Sequence, residues 1–335
     1  MRATIKDVAK LAEVSTATVS NVLTGKKFVS NELEERINTA MSTLGYKPNA
    51  IARSLKINRS FSIGLMVPDI TNPFFAEIVK YVQTHAYREA YQVTLCNSDN
   101  SVRREKKIID SFLTSGVDGI INVAPRSSEE ELNKNIGLPM VVVDRPHFDT
   151  QSDIGFVYAD NYSGAAQVAD YFIEKKYESF ICFAGPIESV PNAKKRLEGF
   201  VNQLKKHGVD DKQCVIYNCD YTFEEGYKTM EMLLNSSFNS EKKQAIFACS
   251  DIMAWGAMEA AKAHKLKIPR DIAVVGYDNI YYSNFLYPRL TTVENPTKGL
   301  GETAINMLIE HLTNNEKLGG AKTVLESTLI IRNSA

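Results

Sequence analysis

Residues 4–29 read TIKDVAKLAEVSTATVSNVLTGKKFV, two short amphipathic patterns with a very short break between them. Thr4 followed three residues later by Asp7 matches a capping box, and the acidic side chain also faces the positive end of the helix dipole. Val8, Leu11 and Ala12 then supply one apolar stripe at helical spacing. Glu13-Val14 is the turn, and Ser15 is placed to cap a second helix running to about Leu23, with Val19, Val22 and Leu23 facing inward. Thr16, Ala17, Ser20 and Asn21 fall on the open face, with Thr18 near its edge. Short side chains let a helix lie deep in the DNA major groove, with hydroxyls and amides available to base edges and phosphates. The pattern is that of a helix-turn-helix, although a solvated face of Ser and Thr would read similarly on spacing alone.

Outward from this stretch, a third helix begins near Ser30 or Asn31. It carries Leu33, Ile37, Ala40, Met41 and Leu44 inward, and Gly45 stops it at the expected C-terminal position. Three short helices around one small apolar cluster make a marginal domain. After Pro48 comes NAIARSLK, good helix formers but too few to hold a helix alone in water. The segment is either a plain linker or one that folds when something orders it. Leu55, apolar beside Arg53 and Lys56, has the character of a minor-groove wedge.

Charge separates this head from the rest of the chain. Residues 1–60 carry ten Lys/Arg against five Asp/Glu, while the remaining 275 carry 29 against 35. A basic head on an acidic body implies a polyanionic partner for the head alone. At 335 residues, 44% apolar and 24% charged, the chain is an ordinary globular protein of two or three domains. The start MRATIKDVAK has no apolar block, and apolar runs such as Met140 to Val143 span only a strand. A cytoplasmic protein with neither signal peptide nor membrane span is therefore expected. The five cysteines (Cys96, Cys182, Cys214, Cys219, Cys249) include no C-x-x-C pair and read as buried thiols in a reducing compartment.

From Phe61 onward short apolar runs (IGLMV, QVTLC, GIINV, MVVVD, FICFA, AIFAC, IAVVG) alternate with helical stretches such as 74–91 and 161–175. This is parallel α/β architecture in two similar halves. The expected first half takes 61–160 and 292–320, the second 162–290 and 321–332. No G-x-G-x-x-G, P-loop, H-E-x-x-H or G-x-S-x-G is present, and the five His are scattered, so neither catalysis nor a cofactor or metal is expected. Polar residues at strand ends suggest a binding cleft instead: the TNPFF of 71–75, Asp144-Arg145, Asp160, Arg196, Ser250-Asp251 and Asp278. Carboxylates and Arg beside aromatic rings suit a polyhydroxylated ligand, whereas any one of them alone reads as a cap or surface ion pair.

TIKDVAKLAEVSTATVS, then FVS, then GYKPNAIARSLK resemble the head and hinge of the lactose/galactose repressor (LacI/GalR) family. The resemblance implies hinge helices that pair on the operator, with Leu55 inserted at the central base step. It also implies major-groove readers at Thr16, Ala17 and Asn21, and Lys27 in the following loop. The full set of expected DNA contacts is Thr4, Ser15, Thr16, Ala17, Thr18, Ser20, Asn21, Lys27, Asn49, Arg53, Leu55 and Lys56. Glu13 departs from the Gly that many members carry, and Asn21 from their Arg or His. The body resembles the periplasmic sugar-binding-protein fold, with a pattern similar to ribose-binding members. Phe74, Phe75, Asp144, Arg145, Arg196, Tyr221 and Asp278 are the implied ligand positions, Asn295 stands for their Gln, and Ser250 for their Asn. A ribose-like pentose is the first expectation, with a keto-sugar acid, another saccharide or a purine as the alternatives.

The expected architecture is thus a helix-turn-helix head (1–48), a hinge (49–60) and an effector-binding and dimerisation body (61–335). The chain lacks a leucine heptad tail after IIRNSA, so a two-fold dimer on a pseudo-palindromic operator is expected. The competing reading is a cytosolic sugar-binding or sugar-modifying protein whose head docks on something other than DNA.

Overall fold

Thr4 starts the first helix of the head as its spacing predicts. In the computed structural model, which describes residues 3–24, 28–46, 59–132, 137–145, 153–236, 238, 241–314 and 316–335, the Thr4 amide and hydroxyl donate to the Asp7 carboxylate at 2.9 and 2.7 Å. Lys27, Asn49, Arg53, Leu55 and Lys56, with residues 49–58 of the expected hinge, lie outside the described residues. Helices α1 (Ile5–Leu11), α2 (Thr16–Thr24) and α3 (Asn31–Thr43) close around Val8, Ala9, Ala12, Val19, Ile37 and Ala40. Leu11 departs from the expected stripe: it is 50% exposed, and Ala9 takes the inward place beside Val8 and Ala12. Glu13 adopts a left-handed backbone, φ 52°, a conformation that costs an L-residue roughly 1–2 kcal/mol. The Arg36 guanidinium donates to the Ala12 carbonyl at 2.7 Å and lies 3.5 Å from the Glu13 carboxylate, tying α3 to the turn.

The chain divides into residues Met1–Phe61 and Ser62–Ala335. Among the described residues the second unit holds two six-stranded sheets. The first is built from β1 (Ser62–Val67), β2 (Gln92–Asn97), β3 (Gly119–Val123), β4 (Met140–Val143) and β5 (Ile154–Ala159), with β11 (Lys322–Leu325) at its far edge, and all its pairings are parallel. The second contains β6 (Ser179–Ala184), β7 (Cys214–Asn218), β8 (Gln244–Ala248), β9 (Ile272–Asp278) and β10 (Thr291–Glu294), closed by antiparallel β12 (Thr328–Ile330). Central strands such as GIINV and MVVV are buried along their whole length. Parallel strands covered by helices on both faces read as unbroken apolar runs for that reason. Helices α4 (Pro73–Arg88), α5 (Val102–Ser115), α6 (Glu129–Leu132) and α11 (Thr297–Asn314) belong with the first sheet. Helices α7 (Asn161–Glu174), α8 (Pro191–Lys206), α9 (Phe223–Ser236) and α10 (Asp251–Ala263) belong with the second.

The expected division of the chain's last quarter needs correcting at two strands. β10, expected with the first half, pairs with β9 in the second sheet, and β11, expected with the second, pairs with β5 in the first. Runs as short as TTVE and KTVL fit either sheet by composition, and only the pairing register decides. The chain therefore crosses between halves after β5, after β10 and after β11. The cleft between the halves lies at these crossings and at the carboxyl ends of the parallel strands, where such folds hold ligands.

Candidate functional site

A cavity of about 300 Å³ lies between the two sheets. The first half contributes Asp69, Asn72, Phe74, Phe75, Asn100, Arg126, Asp144 and Arg145 to its wall, and the second contributes Ser189, Asn192, Arg196, Asp220, Tyr221, Ser250 and Asp278. Asn72 caps α4 by accepting from the Phe74 amide at 3.0 Å, and Pro73 occupies the first helical position where its missing N–H matters least. This sets Phe74 and Phe75 at the cavity wall with their rings edge to face, centroids 5.2 Å apart.

Arg196 organises the floor. Its Nε donates to Asn161 Oδ1 and its Nη1 to the Cys249 carbonyl, both at 2.7 Å, while Nη2 lies 3.1 Å from Asp278 Oδ1. The guanidinium stacks over the Tyr277 ring at 3.8 Å. Burial works against this charge, but Asp278, Tyr221, Tyr277 and Asp144 outweigh it, so the guanidinium holds its proton more tightly than usual. Asp144 and Asp278, each at the end of a strand, have left-handed backbones with φ 55° and 110°. Such strain in non-glycine residues gathers at ligand-gripping positions. Burial raises the Asp144 carboxyl to about 7, opposed by Arg196 and reinforced by Asp278. It raises Asp278 to about 6, again opposed by Arg196.

Asn192 reaches from α8 across the cleft, its Nδ2 donating to the Asp144 carbonyl at 2.9 Å and to Oδ1 at 2.8 Å. Its own Oδ1, and the buried Tyr221 hydroxyl, have no hydrogen-bond partner among the described residues. Unpaired polar atoms on the wall of a cavity are places for a ligand's hydroxyls. Tyr221 packs over Gly185, where a Cβ would stand 2.2 Å from the ring, so any larger residue would displace the ring.

Eight of the ten residues expected at this cleft line it: Phe74, Phe75, Asp144, Arg145, Arg196, Tyr221, Ser250 and Asp278. Two do not. The Asp160 carboxylate caps α7, accepting from the Ser163 amide at 3.0 Å and hydroxyl at 2.6 Å, and its neighbour Asn161 meets Arg196 instead. Asn295 is 1% exposed and stands behind the wall, donating to Asp278 at 3.4 Å. Arg145 lines the cavity but also donates to the carbonyls of Pro125 and Ser127, ordering the loop after β3. Asp251, beside Ser250, accepts from the Ile280 amide at 2.9 Å, the Ser283 hydroxyl at 2.6 Å and the Thr292 hydroxyl, which fixes the segment after Asp278. Asn192 is absent from the expected set although it lies four residues before Arg196, on the same helix face. Asn100, Arg126 and Asp220 are absent from it too, and as loop residues they carry no periodic signal.

In the head, Thr16 and Ala17 are exposed and Ser20 and Asn21 half-buried on the open side of α2. Ser15 accepts from the Thr18 amide at 3.0 Å, and their hydroxyls pair at 2.8 Å. The Thr4 hydroxyl is engaged by Asp7.

Comparison with known proteins agrees with this layout. Residues 4–49 match the model of bacterial regulatory proteins of the lacI family, and 169–335 match the periplasmic binding protein-like domain. The chain is 34% identical over 314 residues to the ribose operon repressor of Escherichia coli K12, covering 93% of each. It is 35% identical over 337 residues to the transcriptional repressor PurR of Pasteurella multocida, covering 99% of this chain and 98% of that one. Its structure resembles the lac repressor dimer bound to operator and the anti-inducer ONPF, with TM-score 0.87 and 25% identity over 100% of this chain and 99% of that one. It also resembles a LacI family regulator from Enterococcus faecium with bound ribose, with TM-score 0.73 and 26% identity over 82% of this chain and 98% of that one. Among the described residues no helix is long and apolar enough to cross a membrane. With a lacI-type head and a relative 34% identical along 93% of its length, the chain belongs to the lacI family of bacterial regulatory proteins, which are transcriptional regulators and not enzymes.

Proposed function

We propose that this chain is a cytoplasmic transcriptional repressor, working as a homodimer on a pseudo-palindromic operator and switched by a ribose-like pentose. Its genes are those of carbohydrate uptake or catabolism. The carrying observation is the cleft: two buried carboxylates flank Arg196, beside aromatic rings and a Tyr221 hydroxyl with no partner among the described residues. Sugar hydroxyls pair with such carboxylates, and sugar C–H faces stack on such rings. A cavity of about 300 Å³ is at the small end of ligand pockets and suits one ring. The names of the ribose operon repressor and of the ribose-bound Enterococcus protein support the choice of pentose. On the head, Thr4, Ser15, Thr16, Ala17, Thr18, Ser20, Asn21 and Lys27 meet DNA. Asn49, Arg53, Leu55 and Lys56 form the hinge that pairs on it, within a division of the chain into 1–48, 49–60 and 61–335. The effector acts by binding the DNA-competent and incompetent arrangements unequally, as linkage requires.

Calorimetric titration with D-ribose at pH 8 and pH 6 tests the ligand. Hydroxyls donating to Asp144 and Asp278 favour ionised carboxylates, whose pKa values stand at about 7 and 6 in the free protein. Binding therefore releases protons, and affinity is expected to be roughly tenfold weaker at pH 6 than at pH 8. For the ligand-free protein the sign is opposite. These carboxyls titrate above their ordinary value of 3.8, so the cost of burying their charge is felt above pH 7 and fades as pH falls toward 4. Heat of binding with a hexose or a purine and none with D-ribose would replace the pentose.

A further inference from the structure

One side chain spans the outer lip of the cleft. Arg126, just after β3 in the first half, donates from Nε to Asn100 Oδ1 at 3.0 Å. Its Nη1 crosses to the second half and donates to the Ser189 carbonyl at 3.3 Å and hydroxyl at 3.1 Å. All three residues line the cavity, yet Asn100 and Ser189 are exposed and Arg126 only half-buried, whereas Arg196 and Asp144 at the floor are buried. The guanidinium thus stands between the cavity and solvent. Its backbone is fixed from behind: the Arg126 and Ser127 amides donate to the Glu105 carboxylate at 2.7 and 3.0 Å, and Glu105 is 1% exposed. Ordering the loop in advance reduces the entropy lost when the side chain makes its bonds.

Resting on the reading of this cleft as a sugar site, we infer that Arg126 is a specificity-determining residue. Its bridge to Ser189 closes the mouth over a bare single ring and excludes the same ring carrying a bulky outward group, as in a nucleoside. The polar anchors lie at the floor, so a ring bound to them points any outward substituent at the guanidinium. Such a ligand has to break the bridge to fit. A bare ring leaves the bridge intact and gains from the closure it favours.

Titration of the full chain with D-ribose and with uridine reads this directly. The native protein is expected to prefer D-ribose by roughly tenfold or more, on the scale of pocket rejection by fit. In Arg126→Ala the D-ribose affinity should fall about fivefold, the loss of a charge-assisted hydrogen bond in part-exposed surroundings, while uridine binds more tightly, so the preference collapses. Ser189→Ala, which keeps the carbonyl acceptor, should be intermediate. An unchanged ratio in Arg126→Ala overturns the inference. Hydrogen exchange without ligand gives a second reading: the amides of Ser189, Val190 and Asn192 should exchange several-fold faster in Arg126→Ala, and unchanged exchange removes the bridge. Native protein that binds neither probe retracts the sugar reading alone, and exchange then decides the bridge.

Discussion

Arg196→Met is expected to abolish D-ribose binding and to destabilise the body by about 3–5 kcal/mol at pH 8, the usual cost of removing one member of a buried ion pair. The guanidinium holds the Asn161 amide oxygen, the Cys249 carbonyl and Asp278, and lies over the Tyr277 and Tyr221 rings. Its side chain is 4% exposed, so water does not replace them. Methionine fills part of the volume but leaves Asp278 and Asp144 as uncompensated buried carboxylates. Their pKa values, already about 6 and about 7 with Arg196 present, then rise further. The penalty should accordingly be largest above pH 7 and shrink below pH 6, where both carboxyls are protonated in the variant. Thermal unfolding at pH 8 should fall by about 10 °C for a body of this size. Equal destabilisation at pH 8 and pH 5 would show that the loss is one of packing and not of charge.

Ala17→Glu in the head is expected to reduce operator affinity by roughly 100-fold while leaving the helix intact. Ala17 is exposed in the first turn of α2, where an acidic residue complements the helix dipole. The same carboxylate is carried toward a duplex bearing one negative charge per about 1.7 Å. Circular dichroism and melting of the variant should match the native protein, and the remaining binding should keep its steep dependence on salt. Native affinity with an intact fold would remove α2 from the groove.

Much of this molecule is legible in its amino acids. The body's central strands read clearly because both faces are buried, and Arg196, Asp144 and Asp278 stand out as charges at the ends of apolar runs. The residue that meets Arg196 is displaced by one from the expected position, because Asp160 and Asn161 straddle a helix start and only the structure shows which is the cap. Asn192 and Arg126 act on partners 48 and 63 residues away, separations that local pattern does not span. TTVE and KTVL exchange sheets relative to expectation because their membership is set by pairing register. In the head, Leu11 loses its inward place to Ala9 because the stripe on a seven-residue helix runs through Val8, Ala9 and Ala12.

The measurement that bears most directly on a sugar-switched repressor is a fluorescence-anisotropy titration of the intact chain against a pseudo-palindromic duplex selected from random sequence, with and without saturating D-ribose. D-ribose is expected to shift the native operator affinity by roughly 5- to 150-fold, the ordinary range of allosteric coupling, and to leave Arg196→Met where it was. An operator curve that D-ribose does not move, in protein shown by calorimetry to bind it, would contradict coupling between cleft and head.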